Sequence, residues 1–145
     1  MSCLYKLQYF DQRAQNTARS KWPHPLEEDL SFLYGTIIVG EALKPGHHSR
    51  NVCIFANGEV DRSPTGTGVS ARAAIHYFKG ELSLSEPFTV ESIVGTCFTG
   101  KVMATTKFGP YEAVVPEVTG SAHIVGKCEW LLDPQDPLCN GFILR

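Results

Sequence analysis

The sequence has no apolar run approaching the roughly 20 residues that cross a bilayer. Its opening, Met1-Ser2-Cys3-Leu4-Tyr5-Lys6, leads into a polar stretch instead of an apolar signal core. A cytoplasmic protein without a membrane partner is the expectation. An excess of either charge is missing too: Lys+Arg 13 against Asp+Glu 15 leave −2 over 145 residues, so no general attraction to nucleic acid or anionic lipid follows. Cysteine is present but unorganised. Five of them, an odd number with no Cys-x-x-Cys spacing, argue against a disulfide framework and a structural zinc site. Thiols left idle in a reducing compartment are expected. There is no repeat and no low-complexity tract, and the length suits one domain with its own core.

What the chain does have is the stretch Val60-Asp61-Arg62-Ser63-Pro64-Thr65-Gly66-Thr67-Gly68-Val69-Ser70-Ala71-Arg72. Asn57-Gly58 just before it is a tight-turn signal, so 52–55 and 59–60 read as a hairpin that delivers the loop. Gly66 and Gly68 permit close backbone approach, and the first N–H groups of the following helix have no intrahelical acceptor. Those donors, with the helix dipole, favour a carboxylate or phosphate. Three other readings compete. Gly66-x-Gly68-x-x-Ala71 fits a dinucleotide fingerprint, with Glu91 near the spacing of the ribose-binding acid, but Glu59, Asp61, Arg62 and Pro64 stand where an apolar strand should run into the glycines. A Walker A loop is excluded because Val69-Ser70 replaces Lys-Ser/Thr. A plain helix start capped by Thr67 or Ser63 explains the loop without any ligand.

Elsewhere the chain reads as short strands at 32–39, 52–55, 89–94, 101–105, 111–115 and 123–132, separated by glycine and proline turns. One helix is predicted over 67–78. Only Ser70, Arg72 and His76 are polar between Val69 and Phe78, and a helix apolar almost all round is a buried one. Lys79-Gly80 provides a cation and a C-cap glycine at its end. Residues 11–21 are polar and aperiodic and precede Trp22-Pro23-His24-Pro25, which disfavours helix.

The string Asp61-Arg62-Ser63-Pro64-Thr65-Gly66-Thr67-Gly68 resembles the second active-site motif of the proline racemase family. Racemases and epimerases of that family have Cys where this chain has Thr65, and the Thr version is similar to the trans-3-hydroxy-L-proline dehydratase branch. His24-Pro25, Asp29-Leu30-Ser31-Phe32-Leu33-Tyr34-Gly35-Thr36, Phe98-Thr99-Gly100-Lys101, Asp133-Pro134-Gln135-Asp136-Pro137-Leu138 and Gly141-Phe142 agree with it. Two segments are therefore expected: 1–22, an unmatched polar N-terminal leader, and 23–145, a second-half domain of a proline racemase-like enzyme. The resemblance implies an α+β, diaminopimelate-epimerase-like fold. Its mixed or antiparallel sheet wraps a central buried helix, and the domain is one of two pseudo-symmetric halves whose last strand, 142–145, can return to the first.

The same resemblance implies a cofactor-independent hydro-lyase whose small-molecule substrate is a hydroxyproline. Thr65 would be the catalytic position, Asp61 would bind the ring ammonium, and the N–H groups of Gly66 and Thr67 the carboxylate. Free cysteine ionises near pH 8.5, whereas a threonine hydroxyl needs strong activation to act as a base. Thr65 is thus a poor proton-transfer group. If the substrate carries a hydroxyl beside the α-carbon, one base suffices, because the carbanion expels that hydroxyl instead of being reprotonated. The base of the family, a cysteine in a Met-Cys-Gly-His-like motif of the first half, has no counterpart here: Cys3, Cys53, Cys97, Cys128 and Cys139 all lack that setting. The alternative reading is therefore a truncated, catalytically silent substrate-binding domain, and the partner expected is a first-half domain or a second copy in a homodimer.

The remaining polar residues point elsewhere. His24-Pro25 reads as a turn or as an approach to substrate, and His47-His48 has no third ligand at metal spacing, so no metal site is expected. His76 and His123 are read as hydrogen-bonded on the helix and a strand. Arg62 either draws anions to the cleft or covers surface.

Overall fold

The computed structural model describes residues 24–56 and 58–141; the expected leader 1–22, Cys3, Asn57 of the hairpin turn and the last strand 142–145 lie outside the described residues. After a 3-10 turn at Glu28–Leu30 come the strands β1 (Gly35–Gly40), β2 (Ser49–Phe55) and β3 (Glu59–Val60). The helix α1 (Gly66–Phe78) follows, then β4 (Phe88–Ser92), β5 (Cys97–Phe108) and β6 (Tyr111–Thr119). The strands form one sheet in the order β1-β2-β4-β5-β6, with β3 paired to β2. All neighbours are antiparallel except β2 and β4, which run parallel. This mixed sheet carrying one long helix is the class that the sequence predicts.

Strand alternation decides which side α1 covers. Phe88 and Val90 on β4, Val102 on β5, and Val114 and Val118 on β6 pack with Val69 and Ala73 of the helix at the two-residue period of one sheet face. On the same helix, Ile75 is 50% exposed and Phe78 54% exposed. The side of α1 away from this sheet therefore has no cover among the described residues. Gly100 permits the closest approach: a Cβ there would meet Phe88 and Val69 at under 3.0 Å.

The hairpin of β2 and β3 forms as expected, with Ile54 opposite Val60 and Phe55 opposite Glu59, and Gly58 turns it at φ +96°. The strands β5 and β6 are longer than their apolar patches. Gly109, at φ +57°, provides the left-handed residue of a two-residue hairpin joining Phe108 to Tyr111, and the pairing then carries exposed residues along. The strand expected at 123–132 does not form. Residues 120–132 have no strand, and Ile124, Val125, Trp130 and Leu131 are 94%, 87%, 85% and 89% exposed. β-propensity records a fit to neighbouring strands, and among the described residues no strand pairs with this segment.

Candidate functional site

The loop between β3 and α1 is organised by one carboxylate. Asp61 Oδ1 accepts the Ser63 N–H at 2.8 Å, and its Oδ2 accepts the hydroxyls of Ser63 at 2.9 Å and Thr65 at 3.0 Å. Ser63 Oγ in turn accepts the Thr65 N–H at 3.0 Å. Thr65 sits at φ +68°, ψ +101°, an outlying conformation for a β-branched residue that costs on the order of 1–3 kcal/mol and persists only where the surroundings fix it. It occupies the N-cap of α1 without a side-chain cap, because its hydroxyl turns back to Asp61. Neither Ser63 nor Thr67 is the capping residue, so the ligand-free reading loses its cap. The first intrahelical donor is Val69 N–H, 2.8 Å from Thr65 O, which leaves the amides of Gly66, Thr67 and Gly68 as the outward donors of the first turn.

These groups line a cavity of about 630 Å³, together with Tyr34, Gly35 and Ile37 on the β1 side and Cys53 and Phe55 on β2. The register puts Ile37 opposite Cys53 and Gly35 opposite Phe55, so one wall is apolar and the other is the polar loop. Gly68 closes the gap, since a Cβ there would run into Ile37 Cδ1. The sequence reasoning brought Asp61, Thr65, Gly66 and Thr67 to one place and missed Tyr34, Ile37, Cys53 and Phe55. The alternation of two apolar strands preceding the motif was the available signal. Chemically, the arrangement offers a carboxylate, a hydroxyl and a row of helix N–H groups around a small apolar-walled space, which suits a compact zwitterion.

The other candidates fall outside that cavity. His24 Nδ1 accepts the N–H of Glu27 at 3.0 Å and so ties a turn. Glu91 is 1% exposed and accepts the N–H groups of Leu43 at 2.9 Å and Lys44 at 2.8 Å and a contact from His47 Nδ1 at 2.9 Å. These hold its carboxyl below the usual range, with the Leu43 bond the largest cause and burial opposing it. It pins the β1–β2 loop and cannot serve a ribose. The dinucleotide reading fails for that reason, even though β2, α1 and the parallel β4 do form a crossover unit. His48 and His76 meet edge to face at 4.6 Å, and each lies 3.3 Å from Arg72 Nη2. Burial first, then the charges of His76 and Arg72, push the His48 pKa down against a small upward pull from Glu81. Among the described residues no three His, Cys, Asp or Glu side chains are grouped to hold a metal ion. Cys53, Cys97, Cys128 and Cys139 form no disulfide among the described residues; Arg62, His123 and Cys97 border a separate cavity of about 380 Å³.

Known proteins resemble the chain over most of its length. The family model described as proline racemase matches residues 6–143, reaching further towards the N-terminus than the motifs do. The chain is 49% identical over 122 residues to a trans-3-hydroxy-L-proline dehydratase of Colwellia psychrerythraea, covering 84% of this chain and 34% of that protein. It is 44% identical over 130 residues to the Homo sapiens trans-3-hydroxy-L-proline dehydratase, covering 88% and 37%. A 3-hydroxyproline 2-epimerase of Burkholderia multivorans is 42% identical over 146 residues, covering 99% and 44%. Among solved structures, a hydroxyproline epimerase from Agrobacterium vitis with bound trans-4-hydroxy-L-proline superposes with TM-score 0.82 at 29% identity, over 96% of this chain and 40% of that one. The chain thus spans well under half the length of these relatives. With a family model matching nearly its whole length, the chain belongs to the proline racemase family.

Proposed function

We propose that this chain is the substrate-holding half of a cofactor-independent hydro-lyase that dehydrates trans-3-hydroxy-L-proline. Both reaction names, dehydratase and epimerase, occur among its relatives at similar identity, so the choice of reaction rests on Thr65. In an epimerase the α-carbanion is reprotonated from the second face by an ionisable group. The Thr65 hydroxyl is engaged as a hydrogen-bond donor to Asp61 while Thr65 lines the cavity, which supports a reaction that needs no proton from that side. A base on the opposite face removes the α-proton, the electron pair forms the Cα–Cβ double bond as the C3–O bond breaks, and the 3-hydroxyl leaves as water with the proton that the base took up. The cyclic enamine then tautomerises to the pyrroline-2-carboxylate.

Asp61 takes the ring ammonium and the amides of Gly66 and Thr67 the carboxylate, where charge-assisted hydrogen bonds are strongest. The base belongs to the part that full-length relatives have beyond this chain, and 23–145 is the domain that carries the loop. A silent, binding-only domain is the second reading, favoured by the share of the relatives' length that the chain covers. In a full-length enzyme whose second half is this chain, trans-3-hydroxy-L-proline should lose water while L-proline keeps its configuration. Sustained racemisation of L-proline, followed by polarimetry, refutes the assignment.

A further inference from the structure

The strained Thr65 is held by more than its own loop. We infer that Asn51, oriented by Arg72, is a positioning residue that fixes the peptide unit between Pro64 and Thr65 and thereby the shape of the substrate loop. The inference rests on the reading of that loop as the substrate site. That peptide unit has two polar ends. Its N–H, on Thr65, donates to Ser63 Oγ at 3.0 Å, and its carbonyl, on Pro64, accepts Asn51 Nδ2 at 3.4 Å. The second bond is long, but Asn51 is 1% exposed and Pro64 is fully buried, so water does not compete for either atom. With both ends held, the plane of the peptide is set, and Thr65 is left at φ +68°.

Asn51 can do this only if its amide faces the right way, and Arg72 decides that. The guanidinium reaches from the middle of α1 to β2, where Nη1 donates to Ser49 Oγ and Asn51 Oδ1, both at 2.8 Å. Arg72 has no acceptor atom, so the amide oxygen must point to it and the amide nitrogen to Pro64. Ser49 and Asn51 are both buried polar side chains, and losing the guanidinium would leave the Asn51 amide oxygen without that donor and Ser49 Oγ with only its 3.0 Å contact to His48 Nδ1. The chain of contacts from Arg72 through Asn51 to Pro64 therefore couples the helix body to the loop at its start, by a route separate from Asp61.

The test uses the whole 145-residue chain, labelled with nitrogen-15, and amide hydrogen exchange followed by NMR. Asn51→Asp keeps an acceptor for Arg72 and removes the donor to Pro64. Arg72→Lys keeps the charge, removes the fork that orients the amide, and changes a half-buried residue, so it reads the same contact should Asn51→Asp not fold. In each variant the amides of Thr65 and Val69 should exchange at least tenfold faster, while those of Thr105 and Val114 in the β5–β6 hairpin stay within twofold. The double variant should be no faster at the loop than the faster single one, because both changes cut one path. Wild-type exchange at Thr65 and Val69 in a folded variant overturns the inference, and so does equal acceleration at Thr105 and Val114, which marks a general loss of stability. Titration of the wild-type chain with pyrrole-2-carboxylate, read at the Gly66 and Thr67 amides, tests the substrate reading separately. Its failure would leave the exchange result standing as evidence about the loop alone.

Discussion

At the scale of the residue, the loop divides its work between a carboxylate that is largely engaged and a hydroxyl whose hydrogen bond is donated to it. Asp61 accepts three hydrogen bonds from Ser63 and Thr65, and a carboxylate has roughly four acceptor sites. One is left for a cationic ligand. Asp61→Asn is the informative change, since it removes charge and retains an oxygen for the turn. In a full-length enzyme it should weaken binding of a planar pyrrole carboxylate by about 1.5–3 kcal/mol in calorimetry, the range for a hydrogen bond to a charged group. Unchanged affinity would take Asp61 out of the binding set. Thr65→Cys should install what the hydroxyl lacks. Deuterium from solvent should appear at the α-carbon of L-proline with inversion, a step to which a placed acid or base contributes about 10²–10⁴-fold. Deuterium-free proline after prolonged incubation would mean that position 65 does not face the α-carbon.

At the scale of the element, local chemistry in the sequence reads well and pairing reads poorly. The helix was legible because its apolar run ends in Lys79-Gly80 and begins at paired glycines; its bounds differ from expectation only at Gly66, but its burial is one-sided instead of complete, since Ile75 and Phe78 stand exposed. The β2–β3 hairpin followed from its turn. The failures are those in which a partner decides the outcome: β5 and β6 extend each other past their apolar cores, and 123–132 has the composition of a strand without a ladder to join. The polar junction of α1 and β2 was illegible for a related reason. Arg72 and His76 are neighbours one turn apart on α1, but His48 lies far from them in sequence, and only the crossover brings it to that pair.

His48 in that junction accepts from Arg72 only while neutral. His48, with its pKa pushed below 6.5 by burial and then by its cationic neighbours, adds stability that is complete above about pH 6.5. This contribution is lost as the pH falls from there through the depressed value, since the unfolded chain binds the proton first. Arg72, His76 and Glu81 are the groups that bear on His48. Thermal melting points should therefore drop between pH 7 and pH 5 in the wild type and drop less in His48→Gln. Parallel slopes for the two proteins would show that His48 titrates as it does in water.

At the scale of the whole molecule, the proposed function makes the site one wall of a cleft. The loop can neutralise a carboxylate and hold an amine, but no cysteine in this sequence has the setting of the family's base. A wall facing water also weakens every electrostatic contact that would stabilise a carbanion. The 145-residue chain alone should give no pyrroline product from trans-3-hydroxy-L-proline in an assay at high protein concentration. Turnover that vanishes in Cys53→Ser would reverse this, because Cys53 is the thiol that lines the cavity. That placement was open to the sequence only through strand register.

The bare segment after β6 gives the molecule an optical handle. Trp130 is 85% exposed, and Leu131 and Leu132 beside it are 89% and 78% exposed, so its indole should emit at the red wavelengths of a hydrated ring. Any body that covers this segment must dry the ring and shift the emission to the blue. The companion indole, Trp22, lies outside the described residues, and Trp22→Phe leaves a single reporter. A blue shift that grows with protein concentration would register self-association, and one that appears only on mixing with another polypeptide would register a docking partner. The colour of one side chain thus reports whether the open wall has been closed.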